Sequence, residues 1–424
     1  MRILITAAGS HGDVAPYTGL GTRLSAAGHD VALAAPEGFA ALVRGSGLDF
    51  RPLPADPRAT PAGGRGAGDK GGGGRRVDDG GAGGRGSSLM ARAAAFVDSL
   101  GDGLVDAAAP GVDLLLLSTT TAPLGWHLAE SLGIPSLGVY LQPVLPTGEF
   151  PPVVGGTRSL GRWGNRTAGA LGQRVVDRLH TRAARRLRER LGLPALAQSI
   201  RRRRQEQQDW PVLHGFSPTL VPRPADWRRG LEVVGNWWPY EPPGSQLPPE
   251  VEDFLLAGPP PVFIGFGSMA AGHGERLSEL AVQALRRAGV RGVLQSGWAG
   301  LAATGDDVLT VGELPHAQLL PRTAAVVHHC GAGTSAAGLR AGVPTVPVPV
   351  TADQPFWAAR LAGLGVATAP VPFAGLTADR LAAGIRQAVE DASYRARAQA
   401  AARAMADEDG AARVAEAVAR LAGR

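Results

Sequence analysis

The sequence predicts an α/β protein made of two Rossmann-like domains, and three observations lead there. The N-terminus reads as strand, glycine turn, helix and strand. Arg2–Ala7 is apolar, Gly9–Pro16 is a turn, Tyr17–Ala27 has helical periodicity and ends at Gly28, and His29–Ala35 is apolar again. Such a unit implies a parallel sheet with right-handed crossovers. The same grammar returns downstream, where strand Ala324–Val327 meets a glycine turn, an apolar helix closed by Gly342, and strand Val343–Val350. The length, 424 residues, also exceeds one ordinary core.

The remaining elements fall into place in order. Val112–Leu117 reads as a fully buried strand, followed by a helix through Trp126–Leu132 and a strand at Pro135–Leu141. These complete a first α/β domain over residues 1–233. Thr60 to Ser88 is dominated by glycine and has almost no large apolar side chain. It cannot bury enough to offset the entropy of ordering, so a mobile loop is expected, either a lid on the acceptor side or an inert insertion. Residues 234–249 hold GNWWPYEPPGSQLPPE, a proline-rich linker. The second domain, 250–424, starts with the strand and turn PVFIGFGS. It continues with a helix at Leu277–Ala288 and strands at Val290–Gln295 and Val308–Val311. It ends in helices over Leu376–Glu390 and Tyr394–Ala422.

Composition narrows the class. No uncharged apolar run approaches the ~18–20 residues of a membrane span. Met1-Arg2 leads straight into ILITAAGS without a cleavage region, and Cys330 is the single cysteine. Both features suit a cytoplasmic chain. The net charge is +6, with arginine clustered between Arg174 and Arg204. No nucleic-acid motif accompanies it, so a solvated arginine face is the expected reading. A loose contact with an anionic membrane is compatible with the same residues.

The densest chemistry lies between Ala324 and Trp357. His329, Gly331, Gly333, Thr334 and Ser335 stand between a strand and a helix start. Unpaired N–H groups and the helix dipole suit that place to an anion. Asp353-Gln354 follows the next strand, at the sheet edge where ligands bind. A phosphate cradle beside a hydroxyl-binding pair points to a nucleotide-sugar. Asp353 is expected to accept from sugar hydroxyls, and Gln354 both to donate and to accept. Such a pair fits a fully hydroxylated hexose.

This stretch resembles the donor signature of the family-one GT-B glycosyltransferases, in particular the sterol-glucosyltransferase-like and antibiotic branch. IGFGSM (264–269), QSGWAGL (295–301) and GELPHAQLLPR (312–322) follow in family order. The resemblance implies a GT-B fold, two Rossmann-like domains facing each other across a cleft, with the last helix packing back on the first domain. It implies that Trp298 stacks on the nucleotide base, with Leu314 and His316 nearby, and that Ser268 reaches a phosphate or the sugar. Plant members carry a ribose-binding glutamate where this chain has Ala337, so UDP- and dTDP-sugars both stay open. Cys330 stands where the sterol-like branch has glycine.

Transfer also needs a base. The turn GSHGDVAP offers His11 and Asp13 at the end of the first strand. Many members have a histidine base directly before V-x-P, and glycopeptide and sterol-type members resemble this chain in having aspartate. The resemblance assigns the base to Asp13, with His11 as runner-up. No acid follows the LLLL strand to orient a histidine. The bland alternative for Asp13 is a helix cap. Trp126, Tyr140 and Phe150 are candidates for an apolar acceptor wall, or for core. No DxD-type pair stands at a strand end, so neither a metal nor another cofactor is expected. The reading is an inverting transfer of a hexose from a UDP- or dTDP-sugar to a hydroxyl of an apolar small molecule, secondary metabolite or sterol-like. A nucleotide-sugar epimerase and a non-catalytic sugar-binding subunit are the alternatives.

Overall fold

The computed structural model describes residues 1–54, 82–267, 273–297, 300–303 and 305–422, with side chains described except at 82–94 and 422. The first domain runs β1 (Arg2–Thr6), α1 (His11–Ala26), β2 (Asp30–Pro36), α2 (Ala40–Gly45), β3 (Asp49–Leu53), α3 (Ala82–Ala108), β4 (Leu114–Leu117), α4 (Ala122–Leu132), β5 (Ser136–Tyr140), α5 (Gly161–Arg190), α6 (Gln198–Gln207), β6 (Val212–His214) and β7 (Leu231–Val233). Its strands form one sheet in the order β3-β2-β1-β4-β5-β6-β7, and every pairing is parallel. The LLLL of β4 is buried throughout, as a parallel strand covered on both faces requires.

The second domain runs α7 (Pro249–Leu256), β8 (Val262–Gly265), α8 (Gly274–Ala288), β9 (Gly292–Gln295), β10 (Val308–Val311), α9 (His316–Leu319), β11 (Ala325–His328), α10 (Ala332–Arg340), β12 (Thr345–Pro347), α11 (Gln354–Gly363), α12 (Ala378–Glu390), α13 (Ala392–Ala404) and α14 (Gly410–Ala422). Its sheet has the order β10-β9-β8-β11-β12, again all parallel. Helix α14 leaves this domain. Val414 and Val418 are buried in the first domain's core with Leu20 and Leu24 of α1. Glu408 ties the domains further by accepting from Ser217 Oγ and Thr219 Oγ1, and the Arg340 guanidinium lies over Trp238 of the linker at 4.4 Å.

Three sequence expectations need correction. Helix α1 begins at His11 rather than Tyr17. A capping box sets its start: Ser10 N donates to Asp13 Oδ2 at 2.8 Å, which outweighs Pro16 as a helix breaker. The helix expected over Tyr394–Ala422 is two helices, α13 and α14. Asp409 Oδ1 accepts from Ala412 N at 2.9 Å and starts the second, where the chain crosses between domains. The expected loop over Thr60–Ser88 lies outside the described residues as far as 81, and from Ala82 the chain is helix α3. Glycine lowers helix propensity there, but the segment extends a long helix, and extension costs far less than nucleation.

The arginine cluster is largely paired inward. Arg188 is buried and donates to Glu130. Arg201 and Arg202 meet Asp177. Arg182 and Arg186 meet Asp98, and Arg190 meets Asp102 and Asp106. These pairs tie α3, α4, α5 and α6 together. Among the described residues no helix is long and apolar enough to cross a membrane.

Candidate functional site

The donor half forms where β11 ends. Cys330 has φ of 63°, a left-handed turn that favours glycine, which explains glycine at this place in the resembling sequences. The turn is fixed from within, because Cys330 N donates to Nδ1 of the buried His328 at 2.9 Å. Gly331 is the extended N-cap of α10, without a side-chain cap. The first helical bond runs from Ser335 N to Gly331 O, 2.9 Å. The amides of Ala332, Gly333 and Thr334 are therefore left without helix partners at the carboxyl edge of the sheet. Ser335 Oγ is buried without a partner.

His329 sits in a slot between two glycines. A Cβ on Gly267 would lie 2.5 Å from its Cε1, and one on Gly331 would lie 2.7 Å from its Nε2. Burial pushes its imidazole down to about 4, so it is neutral near pH 7. His316 packs edge-on to Phe263 at 5.5 Å, its Nε2 buried and unpaired. Burial, reinforced by His11 from across the cleft, holds it at about 4. Leu314 is partly buried against the same apolar cluster. Ser268 and Trp298 lie outside the described residues.

Asp353 is the residue before α11, without a side-chain cap bond, and accepts from Trp357 Nε1 at 2.8 Å through Oδ2. Burial raises its carboxyl above the usual range, and the Asp13 charge adds to the rise. Gln354 corrects an expectation. It is buried, and its Oε1 accepts from Val350 N at 2.8 Å and Thr351 N at 3.1 Å. The carbonyl oxygen is thereby committed to its own loop, and only the Nε2 donors remain for a ligand.

The facing half is the start of α1. Asp13 is not the N-cap, which is Ser10. It is the third helical residue, and its Oδ2 accepts from both Ser10 N and Ser10 Oγ at 2.8 Å. Its Oδ1 takes a longer bond from Gln142 Nε2, 3.3 Å. Gly9 makes room: a Cβ there would lie 2.5 Å from Asp13 Oδ2, at φ of 149°. His11 lies beside Phe39, ring centroids 6.3 Å apart. Charge on the first domain is felt on the second: Asp13 adds to the rise of Asp353, and His11 to the lowering of His316.

Sequence reasoning missed Gln142. It stands just past β5, on the same sheet edge as Asp13, and its Oε1 accepts from Thr119 Oγ1 at 3.4 Å. Its place at a strand's carboxyl end was the available signal. The three acceptor-wall candidates are core residues. Trp126 packs against His127 and Tyr140 against His214, all within the buried cluster. Phe150 meets Phe356 across the domains at 5.3 Å, with Arg360 above it at 5.0 Å. Large aromatics with apolar neighbours gain most by full burial.

Buried imidazoles give the fold an acid limit. His127 and His328 are held down to about 3, and His214, His316 and His329 to about 4, each chiefly by burial, against 6.5 for a free imidazole. Between those values the unfolded chain binds more protons than the folded one, so stability falls as pH drops from 6.5 toward 4. Each imidazole contributes up to roughly 2 kcal/mol of loss by pH ~5. The melting temperature should therefore decline steadily from pH ~7 to ~5. A melting temperature constant across that range would contradict the assigned burial.

Open helix amides at the sheet edge of one Rossmann-like domain and a carboxylate at the sheet edge of the other are the features of a two-domain enzyme with an anionic ligand. Comparison with known proteins makes this specific. Residues 3–72 match the glycosyltransferase family 28 N-terminal domain, and residues 294–421 match the erythromycin biosynthesis protein CIII-like C-terminal domain. The chain is 38% identical over 423 residues to the O-mycaminosyltylonolide 6-deoxyallosyltransferase of Streptomyces fradiae, covering 97% of this chain and 95% of that one. It is 32% identical over 438 residues to a sterol 3-beta-glucosyltransferase of Arabidopsis thaliana, covering 97% of this chain and 64% of the relative. The glycosyltransferase VinC, solved in complex with dTDP, shares the fold at a TM-score of 0.66 and 21% identity, with 100% of both chains covered. The chain belongs to the family-one GT-B glycosyltransferases, in the branch that unites antibiotic and sterol enzymes.

Proposed function

We propose that this glycosyltransferase is inverting and metal-independent, and that it moves a hexose from a UDP- or dTDP-sugar to a hydroxyl of an apolar secondary-metabolite or sterol-like acceptor. The observation that carries this reading is that α10, with its open N-terminal amides, packs against both α1, which holds Asp13 in its first turn, and α11, which Asp353 precedes, and that the Asp13 charge helps raise the Asp353 carboxyl. Asp13 Oδ1 takes the acceptor proton as the hydroxyl oxygen attacks the anomeric carbon. The bond to the diphosphate oxygen breaks on the far side. The open amides of Ala332, Gly333 and Thr334, with the His329 imidazole and the Ser335 hydroxyl, receive the leaving charge. Asp353 accepts from a sugar hydroxyl, and Gln354 donates to one. The relatives' names, a 6-deoxyallosyl and a glucosyl transferase, support a donor that keeps such hydroxyls. VinC carries dTDP, which together with Ala337 supports a thymidine donor beside a uridine one.

The direct test incubates the chain with UDP- or dTDP-hexoses and apolar alcohols, and reads nucleoside diphosphate release with and without the acceptor. Acceptor-dependent release supports the reading, and release that ignores the acceptor contradicts it. Two further outcomes are expected. EDTA should leave the rate unchanged, because amides and an imidazole meet the diphosphate in place of a cation; a loss restored by magnesium would refute this. Gln142→Ala should lower kcat about tenfold with nucleotide affinity unchanged, since Gln142 orients Asp13 Oδ1. An unchanged kcat removes Gln142 from the site.

A further inference from the structure

Single exposed apolar side chains such as Leu132, Ile200, Leu256 and Val389 lie apart, but the others among the described residues gather on one face. Among the described residues Val154 is 65% exposed, Leu160 62%, Trp163 82%, and Leu171 and Val175 52% each. All lie on the first half of α5 or the loop leading into it. Trp163, Leu171 and Val175 fall on one inclined stripe, at intervals of eight and four residues along the helix. A tryptophan this exposed, beside further large apolar groups, marks a contact surface.

The charge around the stripe says what it contacts. The second half of α5 spends its arginines on Asp98, Asp102 and Asp106. Around the stripe, Arg158 just before α5, Arg162 in its first turn, and Arg174 and Arg178 near its middle are exposed, and no carboxylate pairs with them among the described residues. Trp163, Leu171, Arg166 and Arg174 also line a shallow hollow of about 310 Å³. Apolar groups flanked by unpaired arginines, with tryptophan at the boundary, fit the interface of an anionic bilayer. A second copy of the chain would set the same arginines against one another, and nucleic acid would leave the apolar stripe unused.

The stripe is joined to the loop that carries Gln142, the partner of Asp13. Asn165 Nδ2 donates to Gly148 O at 3.1 Å. Arg166 and Thr147 share Asp226. The segment so pinned, 142–153, begins with Gln142.

We propose that the exposed face formed by Val154, Leu160, Trp163, Leu171 and Val175 with the arginines around it docks the enzyme on anionic lipid. Docking sets the acceptor side of the cleft beside the bilayer, where an apolar acceptor concentrates. That benefit rests on the proposed acceptor class; the lipid contact does not, because it is read with neither substrate present.

The test is sedimentation of the full chain with vesicles of phosphatidylcholine alone, or with a quarter phosphatidylglycerol. Binding is expected only to the anionic vesicles, weakening with salt. The pair Trp163→Ser with Leu171→Ser, and the pair Arg174→Glu with Arg178→Glu, should each weaken partitioning about tenfold or more. Both pairs should keep the wild-type melting temperature and the rate on a dissolved acceptor. Three results would overturn the proposal: no binding to anionic vesicles, binding untouched by both pairs, or self-association by light scattering that Trp163→Ser abolishes.

Discussion

Asp13→Asn is expected to lower kcat by about 10²–10⁴ while leaving nucleotide affinity within twofold. Asparagine is the informative replacement because Asp13 has two duties. Its Oδ2 closes the capping box with Ser10, and its Oδ1 accepts only the longer bond from Gln142. An amide oxygen can still accept from Ser10, so the helix start is kept, but an amide cannot take the acceptor proton. Asp13→Ala removes both, and should add a stability cost of about 1 kcal/mol from the lost cap. The gap in kcat between Asp13→Asn and wild type therefore isolates the base. His11→Ala, measured beside it, should cost much less. If His11→Ala loses turnover and Asp13→Asn keeps it, the roles are reversed.

Gly267→Ala should weaken UDP or dTDP binding about tenfold or more, equivalent to about 1.4 kcal/mol. The residue has φ of 61°, and a Cβ there would sit 2.5 Å from His329 Cε1. The methyl must either push the imidazole out of its slot or move the β8 turn, and both disturb the phosphate cradle. The left-handed conformation alone costs an alanine about 1–2 kcal/mol, so the melting temperature should fall as well. A double-mutant cycle separates the two effects. With His329→Ala already in place, the added Gly267→Ala should cost little further affinity, because its clash partner is gone. Full additivity would show that Gly267 acts through the turn and not through His329.

The sequence carried most of the fold. Parallel strands covered on both faces are continuous apolar runs, so β1, β4 and β11 were legible directly, and so was the glycine turn between β11 and α10. What was hidden depended on partners far away in the chain. The aromatics Trp126, Tyr140 and Phe150 are apolar side chains whose burial is decided by neighbours such as His214 and Phe356. Gln354 looked like a two-way sugar ligand until the loop amides of Val350 and Thr351 were seen to take its oxygen. Gln142 was invisible for the same reason, since its contact with Asp13 spans 129 positions. Asp13 itself shows how a local rule can mask a functional one: its place three residues after Ser10 is good capping chemistry, and the same geometry leaves the second carboxylate oxygen with only the longer bond from Gln142.

The central claim is that Asp13 activates the acceptor for a single in-line displacement. Proton NMR of the product made from an α-linked UDP- or dTDP-hexose tests it most directly, through the coupling at the anomeric proton. The account predicts a β-linked product from wild type, and almost no product of either kind from Asp13→Asn. An α-linked product, or a β-linked product formed at full rate without the Asp13 carboxylate, would contradict it.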